Sequence, residues 1–303
     1  MILENKNNKP LIILGMHRSG TSLLANWLHC CGLNLGENML GAGNGNSEGH
    51  FEDLDIFSLH ESILGYNEKK YLIDDDTPLI FNEKIFRKAG HIYDERKNNT
   101  CWGWKEPRTC LMMELWDQLI PEYTSLVVFR EYTQVVDSII RRKQKTGKTS
   151  IERAAMNAKY QLFRNKAANR ILKSWIAYNK NILKHLKNRG NENYLVIGES
   201  KIPPIDYQLY LHLRQDWNYR KLKYVPFSKV FKPELLKRQT ADYKFDCQLL
   251  KEAEQIMNEL NIYEHTTMVK LLKARNAYDK TPQVRQLKVI SFNKTSIVKE
   301  VYQ

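Results

Sequence analysis

Residues 11–28, which read LIILGMHRSGTSLLANWL, constrain the fold of this chain more than any other stretch. Leu11–Leu14 form an apolar run that ends at Gly15, which predicts a buried parallel strand leading into a tight turn. From Thr21 onward apolar residues recur at helical spacing, which predicts a helix capped by Thr21 or Ser22. A strand, a glycine-bounded loop and a helix direct the loop amides and the helix N-terminus toward one point. We therefore expect an anion site there, usually one for a phosphate.

The loop differs from a Walker A motif in its cation. Gly15 and Gly20 have the separation of that motif, but Thr21 stands where the motif requires lysine, and the loop carries Arg18 instead. Glycine, a basic residue and Ser-Gly-Thr in this order resemble the 5′-phosphosulfate loop of the sulfotransferases, which bind 3′-phosphoadenosine 5′-phosphosulfate (PAPS). The resemblance implies that the donor is bound by the loop and the first turn of the helix, namely His17, Arg18, Ser19, Gly20, Thr21 and Ser22.

Length and composition favour a large globular α/β protein. The 303 residues, 42% of them hydrophobic, can bury a full core as one domain or as a domain with an appendage. No apolar run is long enough to span a membrane, so we expect a cytoplasmic protein without an integral span. The five cysteines form no CxxC pair, which favours free thiols over a zinc site or a disulfide framework.

Residues 139–190 carry the positive charge of the chain. They hold 15 Lys or Arg residues and one acidic residue, Glu152, while the whole chain has a net charge of +13. One interpretation is a long solvated helix with a basic outer face, because an apolar stripe recurs at helical spacing. The other is attraction of an anionic donor, an acidic glycan, nucleic acid or a lipid surface. The two interpretations are compatible.

An acidic cluster precedes the next predicted helix, residues 53–65. Carboxylates favour helix N-termini, and capping alone can explain this cluster. The segment also resembles the Gly-aromatic-aromatic-Glu motif of a bacterial branch of the sulfotransferases, in which a carboxylate is the base that deprotonates the acceptor. Glu52 fits that motif best. Glu48 is the alternative, because Glu-x-His-Phe resembles the base segment of the heparan-type enzymes, and His50 and then His17 follow.

The sequence WKEPR marks a second contribution to the site. Residues 101–104 predict a short strand, and residues 105–108 predict the turn at its carboxyl end. Ligands bind outside the carboxyl ends of strands in open α/β sheets, so Lys105 and Arg108 should share one edge with Arg18. The sequence also resembles a sulfotransferase pattern, which implies that Lys105 is catalytic and neutralises the leaving oxygen and that Arg108 contacts the donor.

Residues 125–129 form the most strand-like run of the chain and end at Arg130. Ser138 lies eight residues later, on the following predicted helix. In sulfotransferases an Arg and a Ser in these places bind the 3′-phosphate of the donor. The order of elements continues with a predicted strand at residues 194–197. A Walker B strand would end in Asp where this one ends in Arg130, which disfavours a kinase.

Beyond these motifs the sequence predicts two further helices. Residues 109–119 should form one with Thr109 at its cap, and residues 242–260 another. We expect a sulfotransferase domain over residues 1–262 and a C-terminal extension of unknown role over residues 263–303.

The resemblance implies a three-layer α/β fold, with a mostly parallel sheet flanked by helices as in P-loop NTPases. It implies a PAPS-dependent sulfotransferase that acts on a hydroxyl of a glycan or small-molecule acceptor by in-line transfer. Such transfer depends on positioning and charge, so no metal is expected. Nucleic acid is not expected as a partner of such an enzyme. Two alternatives stay open: a kinase with a degenerate P-loop, and a non-catalytic protein that binds nucleic acid or another polyanion.

Overall fold

The computed structural model describes residues 9–41, 49–75, 77–144, 149–231 and 241–278. Within them a parallel sheet carries helices on both faces, which confirms the predicted α/β class. The strands are β1 (Leu11–Leu14), β2 (Gly103–Lys105), β3 (Thr124–Phe129) and β4 (Tyr194–Gly198). The helices are α1 (Thr21–Cys30), α2 (Leu54–Tyr66), α3 (Glu83–Arg96), α4 (Met113–Leu119), α5 (Tyr132–Gln144), α6 (Ser150–Leu162), α7 (Arg164–Lys187), α8 (Ile202–Gln215) and α9 (Cys247–Tyr278).

The sheet has the order β2-β1-β3-β4, and every neighbouring pair is parallel. Leu11 pairs with Gly103 on one side and with Thr124 on the other, so β1 lies between the strands that follow it in the chain. After β1 the chain adds β2 on one side of it and then β3 on the other. A crevice outside the carboxyl ends of the strands forms at such a change of direction, and the glycine loop occupies this place.

The strands are buried on both faces, which explains the continuous apolar runs in β1, β3 and β4. Ile12 and Leu14 face one core, which α2, α3, α4, α5, α7 and the first half of α9 cover. Leu11 and Ile13 face the other core, which α1 and α8 cover. These two cores give the three layers of the predicted fold.

The predicted cap of α1 is wrong. The N-cap residue is Gly20, at a φ of 93°, and no side chain of the described residues caps the helix. The Ser22 hydroxyl is engaged elsewhere, because it accepts a hydrogen bond from Lys105 Nζ at 3.2 Å. The methyl group of Thr21 lies beside Gly15. The amides at the start of α1 therefore keep their capacity to bind an anion.

The predicted cap at Thr109 is also wrong. Thr109 lies inside a short 3-10 turn, Pro107–Leu111, whose cap is Glu106. The Thr109 hydroxyl accepts a hydrogen bond from Trp104 Nε1 at 3.2 Å, so it is not available to a helix. The α-helix itself begins later, at Met113.

The basic segment forms more than one helix. It covers the end of α5, then α6 and α7, which are separate helices on either side of Phe163. The inner face of α7 is buried, as the apolar stripe predicted. On its outer face Lys180 pairs with Glu252 at 2.5 Å and Lys187 with Glu259 at 2.9 Å, both on α9. Part of the basic face is thus neutralised within the protein.

Helix α9 begins later and ends later than predicted. Asp246 Oδ1 accepts hydrogen bonds from the backbone N–H groups of residues 248 and 249, which starts the helix at Cys247. The helix then runs across residue 262, and Thr267 Oγ1 accepts a hydrogen bond from Val196 N on β4 at 2.9 Å. One face of α9 within residues 263–271, with the buried Thr267 and Leu271, therefore packs against the rest of the domain. None of the helices in the described ranges is long and apolar enough to cross a membrane.

Candidate functional site

The loop after β1 passes close to β3. A Cβ atom on Gly15 would lie 2.3 Å from the carbonyl oxygen of Val128 and 2.7 Å from Thr21 Cγ2, so only glycine fits. The Gly15 N–H donates to Cys110 Sγ at 3.1 Å, which ties the loop to the turn after β2. The loop is therefore held at the sheet edge by its two neighbouring strands.

Arg18 joins the loop to α5. It has a φ of 71°, an uncommon conformation for a residue with a side chain, and its Nε donates to Ser138 Oγ at 2.9 Å. Arg130 Nη1 reaches the carbonyl oxygen of Arg18 at 3.5 Å. Burial and the charges of Arg142, Arg130 and Arg141 lower the pKa of Arg18 to about 10, so it stays cationic at neutral pH. The structure brings together Arg18, Arg130 and Ser138.

Arg130 lies at the end of β3 and is 8% exposed. Its Nε donates to Gln134 Oε1 at 2.9 Å and lies 3.4 Å from Glu199 Oε1. Sequence reasoning gave Glu199 no role. Its position directly after β4 was the available signal, because that strand ends at the same sheet edge.

Lys105 lies at the end of β2, and its side chain is fully buried. Its Nζ donates to Glu52 Oε1 at 2.5 Å and to Ser22 Oγ at 3.2 Å. Burial lowers the pKa of Lys105, while the charge of Glu52 and then its hydrogen bond act in the opposite direction. The residues predicted as leaving-group cation and base thus form one ion pair against the start of α1.

The segment before α2 places Glu52 by unusual backbone geometry. Gly49 and Phe51 have φ values of 98° and 53°, and Asp53 caps α2 by accepting from two backbone N–H groups. His50 is partly buried, and burial lowers its pKa against the opposite effect of Glu52. The predicted capping function therefore belongs to Asp53. Glu52 instead forms the ion pair with Lys105.

Arg108 lies among protein groups. Its Nε donates to Glu106 Oε1 at 2.8 Å, its guanidinium pairs with Glu61, and it lies 4.5 Å from the centre of the Phe57 ring. Burial lowers its pKa. These contacts hold Arg108 in a buried position, and its contact with a donor stays a prediction.

A buried hydrogen-bonded chain supports the same turn. His60 Nδ1 lies 2.5 Å from Glu106 Oε2, and Trp116 Nε1 donates to His60 Nε2 at 3.1 Å. An indole N–H can only donate, so His60 Nε2 is the acceptor. The proton of the neutral ring is therefore on Nδ1, which donates a hydrogen bond to Glu106. Burial, with the charge of Arg108, lowers the pKa of His60 well below its usual value. The sequence did not predict this hydrogen-bonded network, because Trp116 and His60 are 56 residues apart.

His17, which is part of the glycine loop, lies beside the rings of two tyrosines. The centre of its ring is 5.0 Å from that of Tyr71 and 5.9 Å from that of Tyr178, both edge-on. Its Nε2 is buried and has no hydrogen-bond partner among the residues that the structure covers. Burial, followed by the charges of Arg108 and Lys105, lowers the pKa of His17 well below its usual value, so the imidazole is neutral.

Other candidate features lie outside this arrangement. Glu48 is outside the described residues. A cavity of about 740 Å³ lies between α4, α7 and the chain near residues 73–81, and none of the predicted site residues lines it. Within the described part of the chain, no group of three or more His, Cys, Asp or Glu side chains could hold a metal ion.

Lys105 and Arg130, at the carboxyl ends of the strands on either side of β1, thus lie beside the loop that carries Arg18. Cations beside a glycine loop and an uncapped helix N-terminus are typical of anion sites in α/β proteins. No protein-family model and no curated protein matches the chain.

The solved structures that resemble the chain include sulfotransferases. One is the sulfotransferase domain of the olefin synthase of Synechococcus PCC 7002, at 13% identity and a TM-score of 0.43 over 85% of this chain and 97% of that one. Another is the sulfotransferase domain of the curacin biosynthetic pathway, at 17% identity and a TM-score of 0.42 over 84% and 97%. A third is a sulfotransferase from Mycobacterium avium, at 11% identity and a TM-score of 0.43 over 90% and 77%. At these values we take no residue role from them.

Proposed function

We propose that this protein is a PAPS-dependent sulfotransferase that transfers a sulfuryl group to a hydroxyl of a glycan or small-molecule acceptor. The observation that carries the proposal is the placement of Arg18, Arg130 and Lys105 around one glycine loop. The hydrogen bond between Arg18 and Ser138 links the 5′ side of the predicted donor site to its 3′ side. The loop and WKEPR motifs independently resemble those of this family.

The residues at the loop fit a doubly anionic nucleotide. Arg18 and the uncapped amides of α1 would hold the 5′-phosphate, as helix N-termini commonly do. Arg130 and Ser138 would hold the 3′-phosphate, and the neutral His17 adds an imidazole nitrogen that has no hydrogen-bond partner among the described residues. PAPS supplies the sulfuryl group and leaves as adenosine 3′,5′-bisphosphate.

The Lys105–Glu52 pair provides the two charges that the transfer needs. Lys105 would neutralise the oxygen from which sulfur departs, as a preorganised cation does for developing negative charge. Lys105 engages Glu52 Oε1, and the second oxygen of Glu52 would take the proton of the acceptor hydroxyl. Glu48 and His50 are the other candidate bases. Glu52 is preferred because it fits the Gly-aromatic-aromatic-Glu motif best, and its ion pair with Lys105 supports that choice.

Calorimetry with adenosine 3′,5′-bisphosphate and with AMP tests the donor assignment. The bisphosphate should bind far more tightly, because AMP has no 3′-phosphate for Arg130 and Ser138 to bind. Transfer of labelled sulfuryl from PAPS to a panel of sugar and phenol hydroxyls then tests the reaction. Equal affinities for the two nucleotides would contradict the proposal.

Two further results would favour the alternatives. Turnover of ATP in the presence of magnesium would indicate a kinase. Salt-dependent binding of nucleic acid or anionic vesicles, without any affinity for the bisphosphate, would indicate a non-catalytic polyanion-binding protein.

A further inference from the structure

Glu199 places a carboxylate inside a site that is otherwise built for anions. Its Oε1 lies 3.4 Å from Arg130 Nε, and its side chain is 9% exposed. A Cβ atom on Gly20 would lie 3.0 Å from Glu199 Cβ and 3.2 Å from its Cγ. The stem of Glu199 therefore packs on the glycine loop, and its charged end faces the arginine at the end of β3.

The contact between Glu199 and Arg130 is an ion pair without an ideal hydrogen bond. Arg130 Nε already donates to Gln134 Oε1 at 2.9 Å. Glu199 Oε1 is buried and receives no hydrogen bond from the residues in the described ranges. Attraction to Arg130 therefore holds this carboxylate in place, and a second anion at Arg130 would compete for that attraction.

We propose that Glu199 competes with the 3′-phosphate of the bound nucleotide for Arg130, and that it thereby weakens retention of the nucleotide. The inference rests on the proposed function, because it takes Arg130 as the ligand of the 3′-phosphate. The spent nucleotide keeps this phosphate after the transfer. Competition from Glu199 would therefore speed its release, a step that limits turnover in many enzymes.

The charge of Glu199 can be removed without changing its shape. In Glu199→Gln the affinity for adenosine 3′,5′-bisphosphate should rise about tenfold, because Arg130 no longer has to give up an ion pair with a carboxylate when it binds the 3′-phosphate. The affinity for AMP, which has no 3′-phosphate, should change less than about twofold. Glu259→Gln is the matched control, because Glu259 pairs with Lys187 on the surface at 2.9 Å and should leave both affinities unchanged.

A second background tests whether the effect passes through Arg130. In Arg130→Met the further change Glu199→Gln should no longer raise the affinity for the bisphosphate, because the arginine for which Glu199 and the 3′-phosphate compete is absent. Stopped-flow displacement should show that the gain in the single variant is a slower release of the bisphosphate. If Glu199→Gln melts below the assay temperature, Glu199→Ala is measured in the same way.

The failure of this inference differs from the failure of the proposed function. If the wild-type protein prefers the bisphosphate over AMP and the Glu199 variants keep the same ratio, the pair is structural and the inference is overturned. If the wild-type protein shows no preference for the bisphosphate, the donor assignment itself is wrong.

Discussion

The ion pair between Lys105 and Glu52 can be broken from either side, and the structure sets the cost. The Nζ–Oε1 distance is 2.5 Å, and the side chains are 0% and 7% exposed. Removal of one partner of a buried pair leaves an uncompensated charge, which costs about 3 to 5 kcal/mol. Lys105→Met should therefore destabilise the protein by about 3 kcal/mol or more. Glu52→Gln keeps an oxygen that accepts from Lys105, so about 1.5 to 3 kcal/mol is expected.

The double variant separates a pair from two independent contacts. With both charges gone, no buried ion is left without a partner, and apolar replacement of a buried pair is often close to neutral. The double variant should thus lose about 1 to 3 kcal/mol less than the sum of the single losses, as measured by urea unfolding at equal m-values. If the two single losses sum to the loss of the double variant within about 0.5 kcal/mol, the two side chains do not stabilise the protein as a pair.

Activity in the same variants tests the chemistry. Glu52→Gln should lower turnover by about 100- to 10,000-fold, and Lys105→Met by about 100-fold or more. Both should keep the affinity for adenosine 3′,5′-bisphosphate within a few-fold, with assays run below the lower melting temperature. Glu48→Gln is the matched control and should show a much smaller deficit; the reverse ranking would transfer the function of base to Glu48.

Three further predictions concern the 3′-phosphate, the loop and acid stability. Arg130→Ala should weaken binding of the bisphosphate by about 1.5 to 3 kcal/mol in calorimetry and spare AMP, and an equal loss for both would contradict the assignment. Gly15→Ala should destabilise the fold by about 2 to 3 kcal/mol in urea, because its Cβ would lie 2.3 Å from the Val128 carbonyl oxygen; a neutral change would contradict that approach. Burial lowers the pKa of His185 to about 4, so this imidazole takes up a proton more readily in the unfolded chain than in the folded one. The free energy of unfolding should therefore be highest above pH 6.5 and fall by about 3 kcal/mol as the pH falls toward 4. His185→Gln, which can keep the hydrogen bond to Ser125, should flatten the stability curve between these pH values, and an unchanged curve would contradict burial of a neutral imidazole.

The sequence by itself determined the elements that depend on local periodicity. The strand, loop and helix at residues 11–28 and the strand that ends at Arg130 are visible as apolar runs with clear ends. Because parallel strands end at a common edge, the sequence also placed Lys105 on the same edge as Arg18. Arg18 and Ser138 are joined by a hydrogen bond, and the donor contacts predicted for both stay a prediction.

Helix boundaries were less predictable where side chains had long-range partners. Ser22 does not cap α1 because its hydroxyl accepts from Lys105, 83 residues away. Thr109 does not cap a helix because its hydroxyl accepts from Trp104 inside a buried turn. Capping preference is a local quantity of about 1 kcal/mol, and a tertiary hydrogen bond of similar size can override it.

Only the tertiary structure decided which charges meet. Glu52 and Lys105 are 53 residues apart, and their pairing depends on the strand order that sets β2 beside β1. Glu199 reaches Arg130 because β4 is parallel to β3 and ends beside it. Sequence periodicity reports which face of an element is buried, but it carries no information on the neighbour that an edge residue will meet. That neighbour is set by packing of the whole sheet, which is why the carboxylate beside Arg130 became visible only in the folded chain.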